Sequence, residues 1–265
     1  MGQYAQDFYI PRGGQNAKYL DILRGDPIAS RMLGYVKDFL SPVDSMSKSG
    51  VRLPFRSRFA HIERVTGWAL RLSETEGGDA GVIAIASIFH DAGYRYTGEG
   101  HAQRSATVFD AYAKTERVDI DDGKRADPAP EADKCEGASR LPAAIRSAMS
   151  SAKSHAKIRN AIALHSDKHL PETELDRETA ILMDADKLDE AGAMAVLFDI
   201  FTESASPEFD YDSAYDRILA RYGADADEAG RFHTAEGLRQ YMIMRRYVRE
   251  FLVGLGNELG RETTI

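Results

Sequence analysis

Residues 79–95 read DAGVIAIASIFHDAGYR, and the way this stretch is understood decides the fold. Asp79 stands where an N-cap oxygen belongs, and the run Val82 to Phe89 is apolar apart from Ser87. A helix apolar on nearly every side belongs inside a protein, and this one is far too short to span a bilayer. It runs into His90-Asp91 and stops near Gly93. Neighbouring helical positions point about 100° apart, so two such polar groups cannot both escape to solvent from a buried helix. A buried Asp is costly unless it is paired or bound to a metal.

Upstream, Gly77-Gly78 closes a helix predicted from about 58 to 76, in which His61, Val65, Trp68 and Leu72 share one stripe. Asp26-Pro27 reads as a cap and first helical residue. Ile28, Met32, Leu33, Val36, Phe39 and Leu40 then make 27–41 an amphipathic helix. Residues 42–57 read as loop, and residues 1 to about 25, polar and dotted with glycine, as an extended arm. Downstream, His101 to Lys114 is helical, whereas 115–142 is charged, proline-containing and poor in large apolar residues, the composition of a flexible surface insertion. Helices are expected again at about 143–166, from Asp176 to Phe201, over Ser213–Tyr222, and as one long helix from about 225 to 256. Strict alternation is nearly absent, so the fold class is all-α. We expect an N-terminal extension of arm plus helix over residues 1–50 and a catalytic domain over 51–260.

At 265 residues, 43% hydrophobic and 29% charged, the chain has the composition of a globular protein with a sizeable core. A net charge of -8 argues against a nucleic-acid polymer as partner, though not against a small phosphorylated substrate. Cys135 is the only cysteine, which leaves neither an internal disulfide nor a thiolate cluster. The opening MGQYAQDFYIPRGG lacks the pattern of a signal peptide, and a soluble, cytoplasmic protein with no membrane contact is expected.

The chemistry-bearing groups are His61, the pair His90-Asp91, and an Asp in LMDADKLDEAGA, residues 181–193 less their first. Imidazole nitrogen with carboxylate oxygen suits an open divalent site for Mn, Fe, Ni, Co or Mg better than a closed zinc site. Arg64 follows His61 by three residues on the same face and is the preferred phosphate clamp, with a surface ion pair as the alternative. Arg95, Arg104, Lys168 and Lys187 are weaker candidates for substrate contact. Trp68, Tyr94 and Tyr96 either stack on a base or belong to the core. His155, His169 and His233 read as surface residues, and Arg245 and Arg246 as snorkelling side chains.

The order His61…His90-Asp91…Asp186 resembles the H…HD…D pattern of the HD superfamily of metal-dependent phosphohydrolases. The surrounding text carries the resemblance further: HIERV at 61–65, IASIFHDAGYR at 85–95, HAQRSA at 101–106, IALHS at 162–166 and DADKLDEAGA at 184–193 follow the family's order. It covers roughly residues 55–258 and looks like the bacterial HD hydrolases, some of which cleave nucleoside triphosphates with manganese. The resemblance implies a helical HD bundle, here with an extra N-terminal helix and a long C-terminal one. It also implies metal ligands His61, His90, Asp91 and Asp186. Asp186 is chosen over Asp184 because Ala185-Asp186-Lys187-Leu188 fits the family pattern.

The implied reaction is cleavage of a phosphate ester or anhydride, of a nucleotide, by metal-activated water. Asp91 would guide the water, and Arg64 and His101 would stabilise charge. Arg64, His101, His165 and Lys187 would line the substrate. One divalent ion is implied, manganese favoured. His101 and His165 would hold a second ion, as in two-metal family members, or else bind phosphate, act as acid, or serve as cap and core residues. No Walker-type glycine loop, no Glu-Asp after HD and no GYP motif is present. A di-iron oxygenase and a silent nucleotide-binding module are the rival readings. The long tail helix would allow a homodimer.

Overall fold

The computed structural model describes residues 15–46, 52–96, 98–121, 140–167, 170, 175–204, 206–223 and 232–262. Among these residues the chain forms eleven α-helices and two 3-10 turns, and the only strand-like pairing is an isolated bridge between Met46 and Arg52. In order, the helices are α1 (Gln15–Gly25), α2 (Pro27–Leu40), α3 (Arg58–Glu76), α4 (Ala80–Phe89), α5 (His101–Asp121) and α6 (Leu141–Ser150). Then come α7 (Ala152–Leu164), α8 (Arg177–Asp189), α9 (Ala193–Glu203), α10 (Tyr211–Tyr222) and α11 (Ala235–Glu258). The 3-10 turns are Pro54–Arg56 and Ala92–Arg95. The all-α expectation holds.

Side-chain caps set the starts. Asp26 accepts from the Ile28 and Ala29 amides ahead of α2, and Asp79 from those of Gly81 and Val82 ahead of α4, as the sequence predicts. Ser57, Ser151, Asp176, Asp210 and Thr234 do the same for α3, α7, α8, α10 and α11. Every residue of α4 from Gly81 to Phe89 is buried. α2, α3, α6, α7 and α8 pack around it, which puts its C-terminal His90 in the middle of the bundle. A second, smaller apolar cluster joins α9, α10 and α11 through Val196, Tyr215, Ile218, Val248 and Leu252.

Several expectations need correcting. The supposed arm contains α1, which buries Tyr19 and Leu23 and ties itself to α3 through Arg24–Glu63 at 2.7 Å and Lys18–Glu74 at 3.2 Å. α5 runs on to Asp121, into the expected insertion, and α6 begins at its other end; residues 122–139 lie outside the described residues. The helical stretch expected at about 143–166 is two helices, α6 and α7, because Ser151 is extended (φ −100°, ψ 121°) and caps α7. The segment from Asp176 divides at Glu190–Gly192 into α8 and α9. The long helix begins only after Thr234; residues 224–231 lie outside the described residues. Arg245 is buried, with its guanidinium near the Tyr222 and Tyr241 rings and donating to the Tyr222 carbonyl, whereas Arg246 is exposed and pairs with Glu250. No helix among the described residues is long and apolar enough to cross a membrane.

Candidate metal centre

Five elements converge on Asp91. α3 brings His61, α4 ends in His90, α5 opens on His101, α7 ends in His165, and α8 brings Asp186. Asp91 itself lies just past α4 (φ −110°, ψ 9°), where leaving helical geometry turns its carboxylate back between the histidines. The backbone that follows is held by the Gly93 amide donating to Ser105 Oγ at 2.8 Å, which docks the 3-10 turn on α5.

The carboxylate faces two ways. Oδ2 lies 3.4 Å from His61 Nε2 and 3.7 Å from His90 Nε2. Oδ1 lies 3.3 Å from His101 Nε2 and 3.5 Å from His165 Nε2. Asp186 Oδ1 closes the first set, 3.1 Å from His61 and 3.8 Å from His90. Two groups of donor atoms thus have metal-binding spacing, His61, His90 and Asp91 in one and Asp91, His101 and His165 in the other.

The far nitrogen of each imidazole decides what the near one can do. Nδ1 of His90 meets the Ser87 carbonyl at 2.7 Å, that of His101 the Gly98 carbonyl at 2.8 Å, and that of His165 the Ile162 carbonyl at 2.7 Å. Nδ1 of His61 meets Asp189 Oδ2 at 2.7 Å. A carbonyl or carboxylate oxygen only accepts, so each Nδ1 carries a proton, and in the neutral ring each Nε2 offers its lone pair to the centre. His61 and His90 Nε2 are 3.4 Å apart, and His101 and His165 Nε2 are 3.2 Å apart. Lone pairs facing each other beside a carboxylate repel unless a cation lies between them. Ligands on bonds of about 2.1 Å in one coordination sphere are separated by roughly 3.0–3.4 Å. The residues present fit a divalent ion.

The charges agree. Burial holds His90 mostly neutral, its pKa lowered to about 4, although Asp91 pulls the other way. Burial also opposes ionisation of Asp91 and Asp186, but the surrounding histidines win: Asp91 falls well below the usual carboxylate range, helped by Arg58, and Asp186 falls to about 2. His61 is raised despite burial, because Asp186, Asp189 and Asp91 all accept from it.

The other predicted residues fall in different places. Arg64 does not face the centre: it forks Asp189, Nε to Oδ1 at 2.6 Å and Nη2 to Oδ2 at 2.8 Å. Lys187 lies 3.9 Å from Asp184 and over the Phe232 ring. Asp184 is not with Asp186 either; it accepts from the His233 and Thr234 amides and the Thr234 hydroxyl, at the start of α11. Arg104 bonds the Glu99 carbonyl, His155 pairs with Asp110, and Tyr96 is exposed. Lys168 and His169 lie outside the described residues.

Sequence reasoning missed Arg58, whose Nη1 donates to Asp91 Oδ2 at 2.8 Å with the guanidinium over the Tyr94 ring. The signal was there: Arg58 stands three residues before His61, in the first turn of the same helix. Tyr94 in turn packs on His101, with ring centroids 4.4 Å apart.

The HD domain family matches this chain over residues 58–191, more than half of its length, and the chain belongs to that family of metal-dependent phosphohydrolases. The match ends at the break between α8 and α9, so it contains all six centre residues and leaves out the three C-terminal helices. The fold is similar to the crystal structure of an HD-superfamily hydrolase from Bacillus thuringiensis, with a TM-score of 0.53 over 92% of this chain and 100% of that one. At 17% identity that likeness speaks for the fold alone. No curated protein matches the sequence.

Proposed function

We propose that the chain hydrolyses a phosphate ester or phosphoanhydride of a small substrate, a nucleotide, using divalent metal held by His61, His90, Asp91 and Asp186. Manganese is the favoured ion. The observation that carries this reading is the set of four Nε2 atoms turned on one shared Asp91 carboxylate, each Nδ1 tied off behind it. His101 and His165 extend the reading to a second ion, with Asp91 common to both sets. Bound divalent metal supplies a lowered water pKa and a counter-charge for phosphoryl oxygens.

The chain's own residues do the rest. Asp91, between the two histidine pairs, holds the attacking water in line. Asp186, a third exposed, completes the first ligand set on its solvent side. Arg58, fixed by Asp91 and Tyr94 and about a third exposed, offers its remaining N–H groups to phosphate oxygens, the role the sequence suggested for Arg64. His101, at the edge of the site, keeps its Nε2 for the second ion. His165 is too deeply buried to touch substrate and serves the centre instead.

The test is hydrolysis of nucleotides and small phosphate esters with Mn, Mg, Co and Ni, beside an Asp91→Ala variant. Loss of turnover by about 10² or more in the variant is expected. Equal rates in parent and variant refute the site. The second histidine pair also suits a di-iron oxygenase, and iron near two per chain with oxygen consumption and no phosphate release would favour that chemistry.

A further inference from the structure

His61 is gripped by α8 at both nitrogens. Nε2 faces Asp186 at 3.1 Å, and Nδ1 donates to Asp189 at 2.7 Å. The two carboxylates are three residues apart on α8, and His61 and Arg64 are three apart on α3, so one pair of helical neighbours faces the other. Asp189 is almost fully buried, yet its carboxylate accepts from three donors: His61 Nδ1 and two nitrogens of Arg64. The Arg64 fork occupies both oxygens and fixes the plane of the carboxylate. Asp189 therefore cannot turn, and neither can the imidazole it holds. The other three histidines lean on backbone carbonyls of their own helix or turn, which need no such bracing. His61 alone is followed by a long continuing helix rather than a helix end, and it uses a side chain for this purpose.

From this geometry we infer that Asp189 and Arg64 are positioning residues for the metal centre: Asp189 fixes the tautomer and the angle of His61, and Arg64 fixes Asp189. The inference rests on the metal reading proposed above. Groups that orient a metal-ligating imidazole are worth about 10- to 100-fold in metal affinity. Arg64 acts one step further out, so its removal costs less.

The experiment is Mn2+ titration of the purified chain by calorimetry, with no substrate present. It compares the parent with His61→Ala, Asp189→Ala, Asp189→Asn, Arg64→Ala and the double variant Asp189→Ala/Arg64→Ala. Asp189→Ala is expected to weaken Mn2+ by about 10- to 100-fold. Asp189→Asn keeps an oxygen for Nδ1–H and should recover part of the loss. The double variant should bind no worse than Asp189→Ala, since Arg64 works only through Asp189. In the Co2+-loaded chain, each ligating imidazole N–H gives a shifted, exchangeable proton signal, and Asp189→Ala should speed solvent exchange of one of them. Thermal melts establish that each variant is folded; if Asp189→Ala is not, Asp189→Asn and Arg64→Ala carry the comparison. Binding by Asp189→Ala equal to the parent, with His61→Ala unable to bind, overturns this inference alone. Additive losses in the double variant overturn the role of Arg64. A parent that takes up no Mn2+, or a His61→Ala variant that binds like the parent, overturns the metal reading and this inference with it.

Discussion

Replacing Gly81 by Ala tests how the central helix is seated. Gly81 is the second residue of α4, where that helix crosses α6. A Cβ there would fall deep inside the van der Waals radius of the Ala144 carbonyl oxygen and 3.0 Å from the Ile145 amide nitrogen. Neither atom is the end of a flexible side chain, so the two backbones have to separate by roughly 1 Å to restore ordinary contact distances. Ile145, Val82, Ile83 and Ile85 are all fully buried around the crossing, and no neighbour can move aside into solvent. Overpacking of this kind costs about 1–3 kcal/mol. The helix-propensity gain of Ala, about 1 kcal/mol in a helix interior, is smaller here because Gly81 is in the first turn. The net loss is about 2 kcal/mol, a fall in Tm of roughly 4–8 °C for a chain of this size. Gly34 is the control. It lies inside α2 with nothing within 4 Å of its would-be Cβ. Ala there should stabilise by about 0.5–1 kcal/mol. Thermal melts by far-ultraviolet circular dichroism read both. A Gly81→Ala variant that melts at or above the parent would refute the packing argument.

Asp184→Ala orphans two buried donors and one half-buried donor at the start of α11 and should cost about 2–4 kcal/mol, read as a lower Tm and faster proteolysis of the C-terminal helix. A melt within about 1 °C of the parent would show that water replaces the carboxylate without penalty. Glu178 is nearly buried, which pushes its pKa up, but the Asp79 amide and Lys157 outweigh this and hold it below its ordinary value. Its contribution is therefore complete above the unfolded pKa of about 4.3 and lost as pH falls through the folded one. The stability gap between parent and Glu178→Gln, measured by urea denaturation, should close on acidification; a gap that widens would reverse the sign of the interaction.

The metal-binding pattern was legible because it is written in local terms. An apolar run that ends in His90-Asp91 must bury both, and Asp79 and Gly77-Gly78 mark where the neighbouring helices stop and start. Pairings across the fold were not legible. Arg64 and Asp189 are 125 residues apart, and Arg64 looked like a phosphate clamp because only its spacing from His61 was visible. Asp184 and Asp186 were told apart only by the family resemblance, and the helix supplies the physical reason: one points to α11 and the other to the histidines. α1 was missed for a different reason. Its flanking glycines and polar face hid the Tyr19–Leu23 step, which becomes meaningful once α3 is there to cover it. The breaks at Ser151 and Gly192 were present as a cap residue and a glycine inside otherwise periodic text, where the period hid them.

α8 also bears on how such a protein could change over time. Asp184, Asp186 and Asp189 each have their own task, namely the start of α11, the inner nitrogens of the histidines, and the outer nitrogen of His61 together with Arg64. Gaining or losing a single residue in this helix would swing every following side chain by about 100° and reassign several of these partners at once. Loops between helices can lengthen or shorten by small trials, whereas the reading frame of α8 has no neutral neighbours. Anyone grafting this centre onto another scaffold would have to carry that helix across intact, with the facing stretch of α3, before attending to anything else.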